Sequence, residues 1–217
     1  MKVGTDGVLL GAWVNCVGAH RILDIGTGTG LLALMMAQRT NAFVDGVDID
    51  EAACKQAEEN MQASQWKDRL QIACTPLQEF RPKDQYDLII SNPPYFLNAL
   101  EPTDEARKRA RSATSTLTYE DLIENALRLL TSKGKLNVIL PAQEGMIFRE
   151  KAMQAGLFNT RYTAVHSREN KPAKRLLMEF SRVESPTEST TFLLHGEGRE
   201  YSEEYKKLTA DFFPKFM

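Results

Sequence analysis

The segment Asp24-Ile25-Gly26-Thr27-Gly28-Thr29-Gly30 constrains the chain more than any other. It ends a short apolar run, Arg21-Ile22-Leu23-Asp24-Ile25, and leads into Leu31, Leu34, Met35 and Gln38 at helical pitch. A buried strand that stops at glycines and gives way to a helix is where an open α/β sheet binds nucleotide-like ligands, because glycine lets the backbone come close. Asp48, about twenty residues further on at the end of a second strand, is placed to accept both hydroxyls of a ribose. The glycines fall at 26, 28 and 30, and Leu31 stands where a dinucleotide fingerprint needs its third glycine. No Lys-Ser/Thr pair follows, so this is not a phosphate loop either. Asp24 beside the loop would repel a pyrophosphate but supports an ammonium group, which favours S-adenosylmethionine over NAD as the nucleoside cofactor.

Strand and helix signals alternate through the rest of the chain. Ala42 to Val47 reads as a second strand, Asp50 caps a helix running to about Ser64, and Leu70 to Cys74 and Tyr86 to Ser91 are the third and fourth strands. Residues 92 to 117 are irregular. Thr118 with Asp121 resembles a capping box opening an amphipathic helix, with Leu122, Ile123, Ala126, Leu127 and Leu130 on one face and Gly134 at its end. Leu136 to Leu140 is a fifth strand and Glu144 to Ala155 a helix stopped at Gly156; Tyr162 to Val165 and Leu176 to Phe180 are two late strands with no helix between them. The expected fold is α/β: a seven-stranded, mostly parallel, doubly wound sheet with one antiparallel strand on its C-terminal side and helices on both faces. At roughly 150 residues per domain, 217 residues predict a single domain, 1–217, with 92–117 and 161–217 as substrate-side elaborations.

Lys and Arg number 27 against 29 Asp and Glu, a net charge of -2, which excludes a globally basic protein but leaves room for local basic faces. No apolar run approaches the roughly 18 residues of a membrane span. Asp6 stands early and no small-residue cleavage site follows, so no secretory leader is expected and the cytoplasm is the expected compartment. Cys16, Cys54 and Cys74 match neither a disulfide framework nor a thiol metal site. His20, His166 and His195 share no ligand spacing, so no metal is expected, and the chain is expected to be a monomer.

Ser91-Asn92-Pro93-Pro94-Tyr95 follows the fourth strand directly, so it leaves the same carboxyl edge of the sheet as the glycine loop. Two prolines hold Ser91, Asn92 and Pro93 extended and present the Asn amide oxygen and a main-chain carbonyl as neighbouring acceptors. Two acceptors aligned on the N–H groups of a planar amine favour the pyramidal geometry in which its lone pair attacks. That amine is an exocyclic amine of adenine or an amide nitrogen, and Tyr95 can stack on its plane. With both motifs in place the chain resembles the class I S-adenosylmethionine-dependent methyltransferases that act on amine nitrogens. Within them it is similar to the adenine-N6 methyltransferases that modify a valine tRNA beside its anticodon. That likeness covers essentially the whole chain and rests on Lys2-Val3-Gly4-Thr5-Asp6-Gly7-Val8-Leu9-Leu10-Gly11-Ala12-Trp13, on Asn92 to Tyr95, on Tyr201-Ser202-Glu203 and on Phe213 to Met217.

The resemblance implies a Rossmann-like fold and S-adenosylmethionine as cofactor. It places Gly4, Thr5 and Asp6 at the cofactor's edge, Asp24, Gly26, Thr27, Gly28 and Gly30 on the methionine side, and Asp48 with Ile49 at the ribose. Asn92, Pro93, Pro94 and Tyr95 are the implied catalytic residues. Pro76 stands where members commonly carry an Asp, which leaves the cofactor adenine to backbone donors at Leu77 or Gln78. Two basic clusters suit an RNA substrate: Arg107, Lys108, Arg109 and Arg111 just after the catalytic element, and Lys171, Lys174 and Arg175 within a stretch that carries Arg161, Arg168 and Arg182 as well. An anticodon loop offers bases already nearly unpaired, which keeps the cost of reaching the pocket small. The expected partner is tRNA. DNA or ribosomal RNA adenine, a glutamine amide in a protein, an RNA-binding module without turnover and a nicotinamide dehydrogenase are the alternatives.

Overall fold

Along the first strand the apolar side chains divide between two cores: Ile22 enters one, and Leu23 and Ile25 enter the other, all within 1% of full burial. Both faces of this strand are therefore covered, which is the condition for a central parallel strand. The computed structural model describes residues 4–93, 117–196 and 200–213. Its strands are β1 (Arg21–Ile25), β2 (Phe43–Asp48), β3 (Leu70–Cys74), β4 (Tyr86–Ser91), β5 (Leu130–Pro141), β6 (Phe158–His166), β7 (Ala173–Ser181) and β8 (Glu188–Leu193). Its α-helices are α1 (Thr5–Trp13), α2 (Leu31–Arg39), α3 (Glu51–Ala63), α4 (Tyr119–Leu129), α5 (Ala142–Gln154) and α6 (Glu203–Thr209).

One sheet runs in the order β3-β2-β1-β4-β5-β7-β6-β8, and β7 alone is antiparallel to its neighbours. Side chains from α1, α2, α3 and α6 fill one core, and those from α4 and α5 fill the other. Local chemistry sets the helix ends. Asp50 accepts from the Ala53 amide at 2.8 Å to start α3, Thr118 and Asp121 form both halves of the capping box before α4, and Gly156, at φ +89°, follows the end of α5.

The structure departs from the sequence reading in four places, one of them α6, which the sequence reading did not anticipate. The described residues form eight strands and not seven; β8, Glu-Ser-Thr-Thr-Phe-Leu, is a mostly exposed edge strand without apolar alternation. α4 stops at Leu129 and β5 begins at once, whereas the helix was expected to reach Gly134. Leu130 pairs with Tyr86 there, and Gly134 lies so near the Tyr86 carbonyl that an added Cβ would sit 2.8 Å from it. α1 was not anticipated as a helix, because Gly7 to Ala12 are all buried and so show no amphipathic period. Gly11 permits its close approach to α2: a Cβ there would lie 2.6 Å from Met35.

β1 is the switch point of the sheet, with β2 and β3 on one side and β4 on the other. Ile25 pairs with Ser91, so the residues that follow each strand, Gly26 and Asn92, leave the sheet side by side. β5 and β6 point the same way as β4, so the connection between β6 and β7, residues 167–172, stands at that same edge.

Candidate functional site

Three glycines of the loop, Gly26, Gly28 and Gly30, take left-handed conformations at φ +69°, +56° and +82°. Gly30 is the N-cap of α2, and no L side chain adopts its backbone without strain. At Gly26 an added Cβ would meet nothing within 4 Å, so the loop surface there is open. The loop is tied to the end of β2: the Gly26 and Thr27 amides donate to the Val47 carbonyl at 2.9 and 3.2 Å, and the Gly28 amide donates to Asp48 Oδ2 at 2.8 Å. Asn60 on α3 holds it from the other side, donating to the Thr29 carbonyl at 2.9 Å.

Asp48 accepts two further amides on Oδ1, from Ile49 at 2.8 Å and Asp50 at 3.1 Å. A carboxylate has about four acceptor positions. Asp48 thus retains room for one hydroxyl on Oδ2, and a second would compete with the Gly28 amide. Ile49, 36% exposed, sets an apolar surface beside it.

Asp24, in β1, is completely buried. Its Oδ2 accepts from the Thr27 hydroxyl at 2.6 Å and the Ala33 amide at 3.1 Å, while Oδ1 has no partner among the described residues. Loss of hydration pushes its pKa up to about 7; the Thr27 and Ala33 bonds oppose the rise, and the nearby Asp48 charge adds to it. A cation placed beside Oδ1 would return this group to its ionised form. Thr27, itself buried, spends its hydroxyl on Asp24.

Across the switch point, Ser91 is buried and donates from Oγ to the Ile25 carbonyl at 2.9 Å, which pins the start of the Asn-Pro element to the start of the glycine loop. Asn92 is half-buried and Pro93 buried. Gly7 of α1 reaches this point, since a Cβ there would lie 3.9 Å from Asn92 Nδ2. Pro94 and Tyr95 lie outside the described residues, as do Arg107, Lys108, Arg109 and Arg111.

The remaining candidates are spread along the edge. Gly4 is exposed and extended as the N-cap of α1, with Thr5 and Asp6 in its first turn. Asp6 Oδ2 accepts from Arg175 Nε at 2.8 Å, so Arg175, a nucleic-acid candidate by sequence, is engaged with a cofactor candidate. Lys171 is exposed in the β6–β7 connection and Lys174 at the start of β7. Leu77 turns its side chain into a core, and its carbonyl accepts from Arg128 at 3.2 Å. A half-open cavity of about 320 Å³ lies away from this edge, between Arg21, Asp45, Gln71, Phe80 and Lys83. Within it Arg21 pairs with Asp45 at 2.8 Å, and the Tyr86 hydroxyl donates to the same carboxylate at 2.6 Å.

Sequence reasoning gave no site role to Asn60 or the Val47 carbonyl, and it placed Ser91 in the Asn-Pro element without its bond to the glycine loop. Ser91 had a signal, a polar residue closing an otherwise apolar strand; the other two act through tertiary contacts that no local pattern encodes.

A glycine loop at the switch point, an acid at the end of β2 and an Asn-Pro element after β4 define a class I methyltransferase site. The methyltransferase small domain family matches residues 8–171. A relative from Trichodesmium erythraeum, named tRNA1(Val) (adenine(37)-N6)-methyltransferase, is 44% identical over 100% of this chain and 92% of its own. One of the same name from Parabacteroides distasonis is 43% identical over 99% and 92%. Among solved structures, a predicted O-methyltransferase from Agrobacterium tumefaciens superposes with a TM-score of 0.70 at 20% identity, covering 95% of this chain and 96% of its own. A putative RNA methyltransferase from Pyrococcus horikoshii gives 0.58 at 16% identity over 82% of each chain; at such identities these two show the fold alone. The chain belongs to the methyltransferase small domain family and, within it, to the tRNA adenine-N6 methyltransferases. Among the described residues no helix is long and apolar enough to cross a membrane.

Proposed function

We propose that this protein transfers a methyl group from S-adenosylmethionine to the N6 amine of an adenine in tRNA, at the nucleotide beside the anticodon of a valine tRNA, and that it does so in the cytoplasm. The observation that carries the reading is the juxtaposition of Asn92 with the glycine loop across the Ile25–Ser91 pair, in a chain 44% identical over its whole length to a protein named for that reaction.

The residues present fit the cofactor. The unpartnered, buried Oδ1 of Asp24 is an acceptor for an ammonium group, the open surface at Gly26 admits a close backbone approach, and Asp48 has acceptor capacity for a ribose hydroxyl with Ile49 as an apolar neighbour. When bound, S-adenosylmethionine supplies an electrophilic methyl group. Asp24, Gly26, Thr27, Gly28 and Gly30 hold its methionine side, Asp48 and Ile49 its ribose, the backbone at Leu77 its adenine, and Gly4, Thr5 and Asp6 cover its edge. Asn92 and the Pro93 main chain accept from the amine of the target base and orient its lone pair, and Pro94 and Tyr95 complete that pocket. Positioning of the amine accounts for most of the acceleration, and the proton leaves as the new bond forms. Lys171 and Lys174, with Arg107, Lys108, Arg109 and Arg111, neutralise tRNA phosphates.

The test is transfer of labelled methyl from S-adenosylmethionine to unmodified total tRNA, with total protein, ribosomal RNA and DNA in parallel, followed by nucleoside analysis. Label as N6-methyladenosine in tRNA alone is the expected result. Label in protein would move the activity to a glutamine amide, and label in ribosomal RNA or DNA would replace the substrate. No label with cofactor binding intact would make the chain a binding module.

A further inference from the structure

α1 begins without a side-chain cap, since its N-cap is Gly4. Its first turn nevertheless occupies a demanding place. At Gly7 an added Cβ would lie 3.2 Å from Leu31, the first residue of α2, and 3.9 Å from Asn92 Nδ2. This turn therefore stands between the helix that closes the glycine loop and the residue proposed to hold the target base.

Two sets of contacts fix α1 to the sheet, one at each end. At the far end the Trp13 indole donates to the Thr163 hydroxyl at 2.9 Å, and the Arg161 guanidinium lies 3.8 Å from the centre of the Trp13 ring. At the near end Arg175 Nε donates to Asp6 Oδ2 at 2.8 Å, and Arg175 Nη1 donates to the Lys174 carbonyl at 3.1 Å. The two side chains of the Asp6–Arg175 pair are only 22% and 29% exposed, so water screens them less than a surface pair. A carboxylate in the first turn also complements the helix dipole, which the absent cap leaves unopposed. The neighbouring Lys171 and Lys174 are exposed, whereas the Arg175 guanidinium is held at two points.

We propose that Arg175 is a positioning residue: it acts through Asp6 to hold the first turn of α1 against the glycine loop and Asn92, and it does not contact RNA phosphate. The inference rests on the reading of this edge as a cofactor and base site. It removes Arg175 from the RNA surface and makes α1, held from β7, part of the machinery that sets cofactor affinity.

The experiment is a double-mutant cycle with Arg175→Gln and Asp6→Asn, read in the full chain. Arg175→Gln is expected to weaken S-adenosylhomocysteine binding and raise the cofactor KM roughly two- to fivefold, the range a partly shielded ion pair supports, with a smaller change in kcat. Asp6→Asn alone weakens binding, and adding Arg175→Gln to it has no further effect. Arg175→Lys restores most of the affinity. The salt dependence of tRNA binding is unchanged by Arg175→Gln. Additive losses in the cycle, or a salt slope lowered by about one, would overturn the proposal and return Arg175 to the RNA surface. Amide exchange of residues 5–13 without cofactor gives a separate reading: Arg175→Gln should speed it, and unchanged exchange would overturn the positioning role. If the unaltered protein failed to bind S-adenosylhomocysteine, the cofactor reading would fall while the exchange measurement still decided whether Arg175 holds α1.

Discussion

The glycine-loop end of the sheet edge and its β6–β7 end hold their residues by different means. At the loop, carboxylates bind backbone: Asp48 takes three amides, and Asp24 takes an amide and the hydroxyl of Thr27, all from residues within about twenty positions of the acid. At the other end the contacts join side chains remote in sequence, Asp6 with Arg175 and Trp13 with Thr163, separated by 169 and 150 residues. Lys171 and Lys174 there stay exposed. A network of short-range bonds, buried at Asp24, is organised before a ligand arrives, as suits a small cofactor. Exposed charges on a strand connection suit a long polyanion whose binding is mostly electrostatic.

Four perturbations break or sharpen this contrast, from the largest expected effect to the smallest. Asn92→Ala removes an acceptor from the boundary between the two regions and should lower kcat by about 10²–10³, the usual cost of one preorganised polar group. Affinities for S-adenosylhomocysteine and tRNA should change less than twofold, as measured by single-turnover rates alongside calorimetry.

Asp24→Asn acts on the loop alone. The pKa of Asp24 rises from 3.8 to about 7 on folding, so the unfolded chain loses this proton first as pH rises. The folded state is therefore penalised progressively between about pH 4 and 7 and fully above 7, by at most about 4 kcal/mol. The Asn variant escapes the penalty but brings an amide donor into the site, so a net gain of about 2 kcal/mol is expected at pH 8 and almost none at pH 4. Urea unfolding at both values measures it, and cofactor binding should be weakened at either.

Gly30→Ala places a side chain at φ +82°, where the added Cβ makes ordinary contacts with Met61 at 3.4 Å and Ala57 at 3.5 Å. Backbone strain alone should therefore cost about 1–2 kcal/mol in denaturant unfolding. Lys174→Ala, at the opposite end, should leave stability and S-adenosylhomocysteine affinity unchanged and reduce the salt slope of tRNA binding by about one.

The same contrast explains what was legible in the sequence. β1 to β4, the glycine loop, Asp48 and the caps of α3 and α4 depend on neighbours a few residues away, and periodicity and spacing expose them. Asn92 was legible because two prolines and a strand end fix its position. α1 was not, since a helix buried all round has no polar face to set a period, and β8 was not, since only Phe192 of its six residues is buried. Arg175 shows the limit most clearly. By composition it is one more base in a basic stretch, and only the folded chain brings Asp6 against it.

The division of the edge is tested most directly by amide hydrogen exchange with S-adenosylhomocysteine alone and with unmodified tRNA alone. The account predicts that S-adenosylhomocysteine slows exchange at residues 24–33, at 47–50 and in the first turn of α1, and leaves residues 167–174 untouched, while tRNA does the reverse. Protection of residues 167–174 by S-adenosylhomocysteine, or of the glycine loop by tRNA without cofactor, would contradict it.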